Sequence, residues 1–327
     1  MHWLDQVLRW RAELGVAPVA DPHIVHLDLD TNDLAELPDV AAEYRNAADI
    51  IAEASGLGAS VIVLDIVFGR GSRESAQPIL DAIERAKSNN CSVVLAEYLN
   101  APLEITRSFP FGERLRPSGL TNVQSDPDGV FRRYAFVQRG PEGLEPSLAL
   151  AAYLAWRKFD WSPSPERGIA SWKELSADNL AFKLQEVSVA PVILNFRTNW
   201  DASGPGSFHH YNPARLHLLY STRLSSPDPN ASPLSNRIVI VSAVAAGVGD
   251  VGTTPLGSNQ PKALLHSTGL SDLIQRSSLV RVPPLLEAAA FAFLLPLFGQ
   301  RDSAAVLPHC FFCGYSGSPR PWSWVAL

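Results

Sequence analysis

Residues 58–71 read GASVIVLDIVFGRG, and the interpretation of this stretch decides the fold. The run from Ser60 to Phe68 is nearly unbroken apolar sequence with Asp65 as its one charge, the pattern of a strand covered on both faces in a parallel sheet. Its flanks agree. Residues 40–57 are predicted to be helical, as are residues 76–87, and helix, strand, helix is the unit of a doubly wound α/β sheet. Ligands of such sheets collect beyond the carboxyl ends of the strands, which singles out Asp65 together with Gly69 and Gly71.

Working outward, residues 23–30 (HIVHLDLD) form a first strand ending in acids, and residues 92–97 (SVVLAE) form a third apolar run of the same kind. The turn Ser125-Asp126-Pro127-Asp128-Gly129 joins two β-like runs, 119–124 and 130–138, and is predicted to close a β-hairpin insertion, with Arg132 making a surface contact to one of the turn acids. Residues 147–159 are predicted helix, 191–196 (PVILNF) strand, and 160–188 carry weak signals. Residues 237–244 (RIVIVSAV) are the last strong strand, running into a Gly-rich loop, AAGVGDVGTTPLG, before a helix over 263–275. The expected fold class is therefore α/β, a mostly parallel central sheet with helices on both faces plus the hairpin.

Composition bounds the function. The chain has 327 residues, 46% of them apolar and 18% charged, enough for a substantial core. A net charge of −6 without any Lys/Arg cluster argues against a nucleic-acid partner. The N-terminal residues 1–15 form an amphipathic helix, not a secretory signal. Cys91 opens a strand, and Cys310 and Cys313 form a lone CxxC without a second pair, for which two uninvolved thiols is the plainer reading. Residues 285–299 are apolar apart from Glu287, but as a helix they are shorter than the roughly 20 residues a bilayer asks for, so a buried helix and a membrane span both fit.

The strand ends supply the candidate pocket: Asp28, Asp30, Asp65, Asn195, Arg197, Asp250, Thr253 and Thr254. If the strands are parallel and adjacent, these groups converge at one rim, where they suit a cation or a polar small molecule. The competing reading of each is a helix cap or a loop former. The loop 247–252 has the spacing of GxGxxG, but the helix follows too late for its amides to sit at a helix N-terminus, so a loop-forming role is favoured over phosphate binding. His209, His210 and His217 lack a carboxylate at metal-ligand spacing. No metal, cofactor or catalytic group is expected.

Taken in order, DxxLRWR, IVHLDLD, GASVIVLDIVF, SDPDGVFRRY, EPSLALAAYLA, VILNFR and SNRIVIVSAVAAGVGDVGTTPLG resemble the CHASE domain of the second type, an extracellular sensory domain of bacterial membrane receptors associated with cyclases and histidine kinases. The resemblance implies a ligand-sensing domain over residues 1–284, a short apolar segment over 285–299 and an irregular tail over 300–327. It implies placement outside the cytoplasmic membrane, an unidentified small-molecule ligand, a kinase or cyclase output module and a homodimer as partners. Relative to the family pattern, a leading membrane helix and an output domain are expected to be missing. The alternative is an enzyme: DLDT at 28–31 is similar to the start of haloacid-dehalogenase phosphatases, in which Asp28 would be the nucleophile and Asp30 the acid/base. The Thr stands one position too early for that pattern.

Overall fold

The structure, a computed structural model, describes residues 3–100, 104–107, 115, 117–141, 143–159, 191–200, 206–225, 232–245 and 250–279. Helix α1 (Trp3–Glu13) leads to β1 (Ile24–Leu29), α2 (Thr31–Ala35), α3 (Val40–Gly56), β2 (Val61–Asp65), α4 (Arg73–Ser88), β3 (Ser92–Asn100), β4 (Glu104–Thr106) and β5 (Ser118–Leu120). Then come β6 (Arg133–Tyr134), β7 (Val137–Gly140), β8 (Gly143–Pro146), α5 (Leu148–Trp156), β9 (Val192–Ile193), β10 (His209–Tyr211), α6 (Pro213–Ser225), β11 (Ile238–Ala243), β12 (Val251–Thr254), β13 (Gly257–Pro261) and α7 (Ala263–Gln275).

The apolar runs form one sheet in the order β10-β1-β11-β2-β3, with β5 and the antiparallel β4 both on β3. All other pairs in it are parallel. The α/β class and the mostly parallel sheet are those expected. Strand β2 lies between β11 and β3, and β1 lies beyond β11, so the runs beginning at His23, Ser92 and Arg237 do stand alongside it. Side chains alternate with period two. Val61 and Val63 pack among α5 and α7 on one face, while Ile62 and Leu64 pack among α3 and α4 on the other. Both faces are dry, which is why these strands read as continuous apolar runs.

Helix starts follow their caps. Helix α4 begins at Arg73, ahead of the expected residue 76, because Ser72 accepts from the amide of Ser75 and Ser75 reciprocates in a capping box. Asp39 starts α3 in the same manner through Ala42 N. Helix α6 was not expected; Asn212 accepts from Arg215 N and Pro213 occupies the first helical position, where its missing N–H costs nothing.

The hairpin lies elsewhere than the sequence suggested. The turn at 126–129 closes as expected, with Gly129 N donating to Asp126 O at 2.8 Å and Gly129 at φ +80°, but the two runs it joins diverge. The upstream run enters the main sheet as β5. There a Cβ on Gly119 would stand 2.7 Å from Leu148 Cα, so only glycine admits the start of α5. The downstream run splits, β6 pairing with β9 and β7 with β8; β7–β8 is the hairpin insertion. The Gly-rich stretch after β11 likewise contains structure, the hairpin β12–β13; residues 246–249 lie outside the described ones.

Arg132 corrects the expected surface contact. Its side chain is 3% exposed, donates from Nε and Nη2 to the two oxygens of Asp5 at 2.7 Å each, and also reaches Asp126 at 3.0 Å and Asp128 at 2.7 and 2.8 Å. The pair binds α1 to the turn, and Leu8 of α1 fills the core beside it. Among the described residues no helix is long and apolar enough to cross a membrane; the apolar segment 285–299 and the CxxC lie outside them. Replacing Arg132 by Leu takes the bidentate cation away from the buried Asp5 and from Asp126 and Asp128, and denaturant unfolding is expected to show a loss of about 3–5 kcal/mol.

Candidate functional site

A strand covered on both faces meets water only at its ends, so the polar residues of these strands collect at the carboxyl edge of the sheet. Register aligns them. Asp28 of β1 pairs with Ser242 of β11, and Ser242 with Asp65 of β2, so the three stand in one row on the face covered by α5 and α7. At the usual strand spacing the two carboxylates are roughly 10 Å apart with the serine between them. Each has one buried oxygen without a hydrogen-bond partner among the described residues: Asp28 Oδ1, Ser242 Oγ and Asp65 Oδ2. Unpaired buried polar atoms are rare in folded proteins and ask for an explanation.

Beside the row lies a cavity of about 340 Å³. Asp65, Asp250, Lys262 and His266 give it polar walls, Ile66 and Val67 apolar ones, and Tyr98 also lines it. The Asp65 side chain is 3% exposed, and burial, followed by the charge of Asp250, pushes its carboxyl up to about 8, against the pull of Lys262. Burial lowers His266 to about 4. At neutral pH the 3.8 Å approach of His266 Nε2 to Asp65 Oδ1 is therefore a contact of two uncharged groups and not an ion pair. Behind the ring, Tyr134 Oη accepts from Ala149 N and meets His266 Nδ1 at 2.7 Å. With the phenol donating, the imidazole carries its hydrogen on Nε2, toward Asp65. At the mouth, Lys262 Nζ holds Asp250 at 3.2 Å and stands 5.9 Å over the Phe131 ring.

The other residues singled out in the sequence are placed apart from this cluster. Asp30 is exposed and caps α2, accepting from Asn32 N and Asp33 N. Asn195 and Arg197 lie at the C-terminal end of α7, where the fully buried Arg197 donates to Asp272 Oδ1 at 2.6 Å and to Ser277 Oγ at 2.9 Å, and Asn195 N donates to Asp272 Oδ2. Thr253 O accepts from Phe131 N, and Thr254 Oγ1 accepts from Leu256 N within the β12–β13 turn. His210 has a carboxylate partner after all, Asp28 at 2.8 Å, and His217 has Glu53 at 2.5 Å; these partners are remote in sequence. No group of three or more metal-binding side chains occurs among the described residues.

Sequence reasoning passed over Ser242, Lys262 and His266. Ser242 carried the same signal as Asp65, a polar residue closing an apolar run; His266 stands alone on an apolar helix and gives no signal of its own.

A comparison with known families matches residues 1–300 to the model of the CHASE2 domain. No curated protein and no solved structure matches the chain.

The folded protein keeps a proton on Asp65 that the unfolded chain gives up near pH 4, so stability drawn from Asp65 declines as pH rises from about 4 to about 8. Asp65→Asn is expected to melt close to the parent at pH 4 and progressively higher than it toward pH 8, by an amount equivalent to a few kcal/mol; parallel melting curves across that window would refute the assignment.

Proposed function

Because the chain belongs to the CHASE2 family, whose members are extracellular sensory domains of signalling receptors, we propose that it senses a small polar molecule outside the membrane and passes the event to the receptor through α1 and the chain that follows α7. The observation that carries this reading is the cavity at the carboxyl edge of the sheet with the buried Asp65 Oδ2, unpartnered among the described residues, in its wall. A buried carboxyl oxygen that no neighbouring side chain engages is a position for a polar atom of a ligand.

The route to α1 is the hairpin β12–β13. Asp250 precedes its first strand and Lys262 follows its second, so their ion pair closes the hairpin at the cavity mouth, backed by Lys262 N donating to Asp250 O at 2.9 Å. At the other end, Arg9 of α1 donates to Pro255 O at 2.6 Å in the hairpin turn. Thr253 also bridges to Val130, two residues before the arginine that holds Asp5. A ligand that competes for Asp250 loosens the base of the hairpin, and its tip carries the change to α1. The shift is limited to the ligand's differential affinity for the two arrangements.

Asp250→Ala is expected to raise amide hydrogen exchange severalfold in β12, β13 and α1 of the full chain, with α3 and α4 unchanged. Unaltered exchange in α1 would refute the coupling.

A further inference from the structure

Helix α1 has two faces, and the domain uses one of them. Asp5 and Leu8 are buried, Leu4 packs against the core, and Arg9 donates to Pro255 O. The opposite face carries Trp3, Val7, Trp10 and Leu14 at successive intervals of 4, 3 and 4 residues. It is turned outward: Trp3 is 70% exposed, Trp10 56% and Leu14 75%. Leu14 N donates to Trp10 O at 2.8 Å, so the last turn keeps its helical hydrogen bond and Leu14 stays in line with the others. At about 100° per residue the four side chains fall within an arc of about 60°. Gln6 and Glu13 stand along one side of this stripe and Arg11 along the other. Two tryptophans and a leucine aligned and exposed on a helix of 11 residues form the kind of apolar patch that marks an interaction surface.

We propose that two copies of this chain associate through α1, the Trp3, Val7, Trp10 and Leu14 stripe of one packing against the same stripe of the other. The alternating intervals of 4 and 3 are those of a coiled-coil seam, whose positions face a partner helix running alongside. A helix that buries a broad face, in a core or at a lipid surface, shows an apolar arc of about 100° or more with its polar residues kept away from it. Here polar residues border a narrow stripe on both sides. The stripe is also self-complementary, as a two-fold contact requires. A parallel pair sets Gln6 of one copy against Arg11 of the other, and an antiparallel pair sets it against Glu13, so in neither direction do like charges meet across the seam.

The area fits a weak dimer. At these exposures the stripe offers roughly 500 Å² a copy, or roughly 1,000 Å² for the pair, the lower limit of a specific protein interface. Association is therefore concentration-dependent, with a dissociation constant on the order of micromolar. Because it stands on α1 alone, the dimer holds or fails independently of any ligand in the cavity at the sheet edge.

The test is sedimentation equilibrium of the full chain across the micromolar range, beside flotation on phosphatidylcholine vesicles. A monomer–dimer equilibrium is expected. Trp10→Lys and Leu14→Lys change side chains that face solvent, so both are expected to melt with the parent and to weaken the dimer at least about 30-fold. Leu218→Lys, at another exposed leucine, on α6, should leave association unchanged. If Trp10→Lys melts below the parent, Leu14→Lys, just past the helix end, carries the comparison. A parent that stays monomeric overturns the proposal, as does a dimer indifferent to both α1 variants or weakened as much by Leu218→Lys. Flotation of a monomeric parent that Trp10→Lys abolishes assigns the stripe to lipid and overturns it too.

Discussion

The sheet is dry on both faces, and the rest of the structure follows from that constraint. Parallel strands covered by helices above and below have nowhere to put a charged side chain except at their ends. Asp28, Ser242 and Asp65 are those end residues, and because β1, β11 and β2 pair in register they fall in a single row. Burial then sets their chemistry. The same coverage that makes the strands cohesive holds Asp65 in its acid form and His266 in its neutral form, so the rim of the sheet is polar without carrying a dense charge.

How much of this was legible in the sequence depended on distance along the chain. The strands announced themselves because each is a short apolar run, and α3 and α4 because their periodicity is local. Asp65 was visible as the one charge in such a run. The partners were not visible. Nothing near Arg132 in sequence marks Asp5 as its main acceptor, nothing near Asp28 marks His210, and Arg197 reads as a strand-end residue until α7 brings Asp272 against it. The 119–124 run was assigned to a hairpin because a turn follows it, whereas the packing of Gly119 against the start of α5 commits it to the main sheet. Tertiary contacts won over local turn chemistry there. Strand β10 and helix α6 were missed for the complementary reason: the strand is short, and only Leu216 of the helix is fully buried, so neither has a strong apolar pattern.

Both ends of the described domain are fastened by polar contacts as well as by packing. Helix α1 is held by the Asp5–Arg132 pair and the Arg9–Pro255 hydrogen bond, with Leu8 its one fully buried apolar side chain. The chain leaving α7 is held by Asn195 and Arg197 through Ser277. Polar anchors have preferred geometries and break cleanly, so they favour discrete alternative positions over gradual sliding.

The insertion of β11 between β1 and β2 has a bearing on how the protein is made. A chain synthesised from its N-terminus delivers β1, β2 and β3 long before residues 238–243 emerge, and until then two of the best strands lack the neighbour that lies between them in the finished molecule. Closing that gap joins segments very far apart in sequence, so contact order is high and the loop-closure entropy must be met late. Nascent chains shorter than this point expose unpaired strand edges, the species on which holdase chaperones act and from which aggregates grow. Assembly of the sensor is therefore governed by its last long strand, whose arrival converts a set of apolar fragments into a sheet.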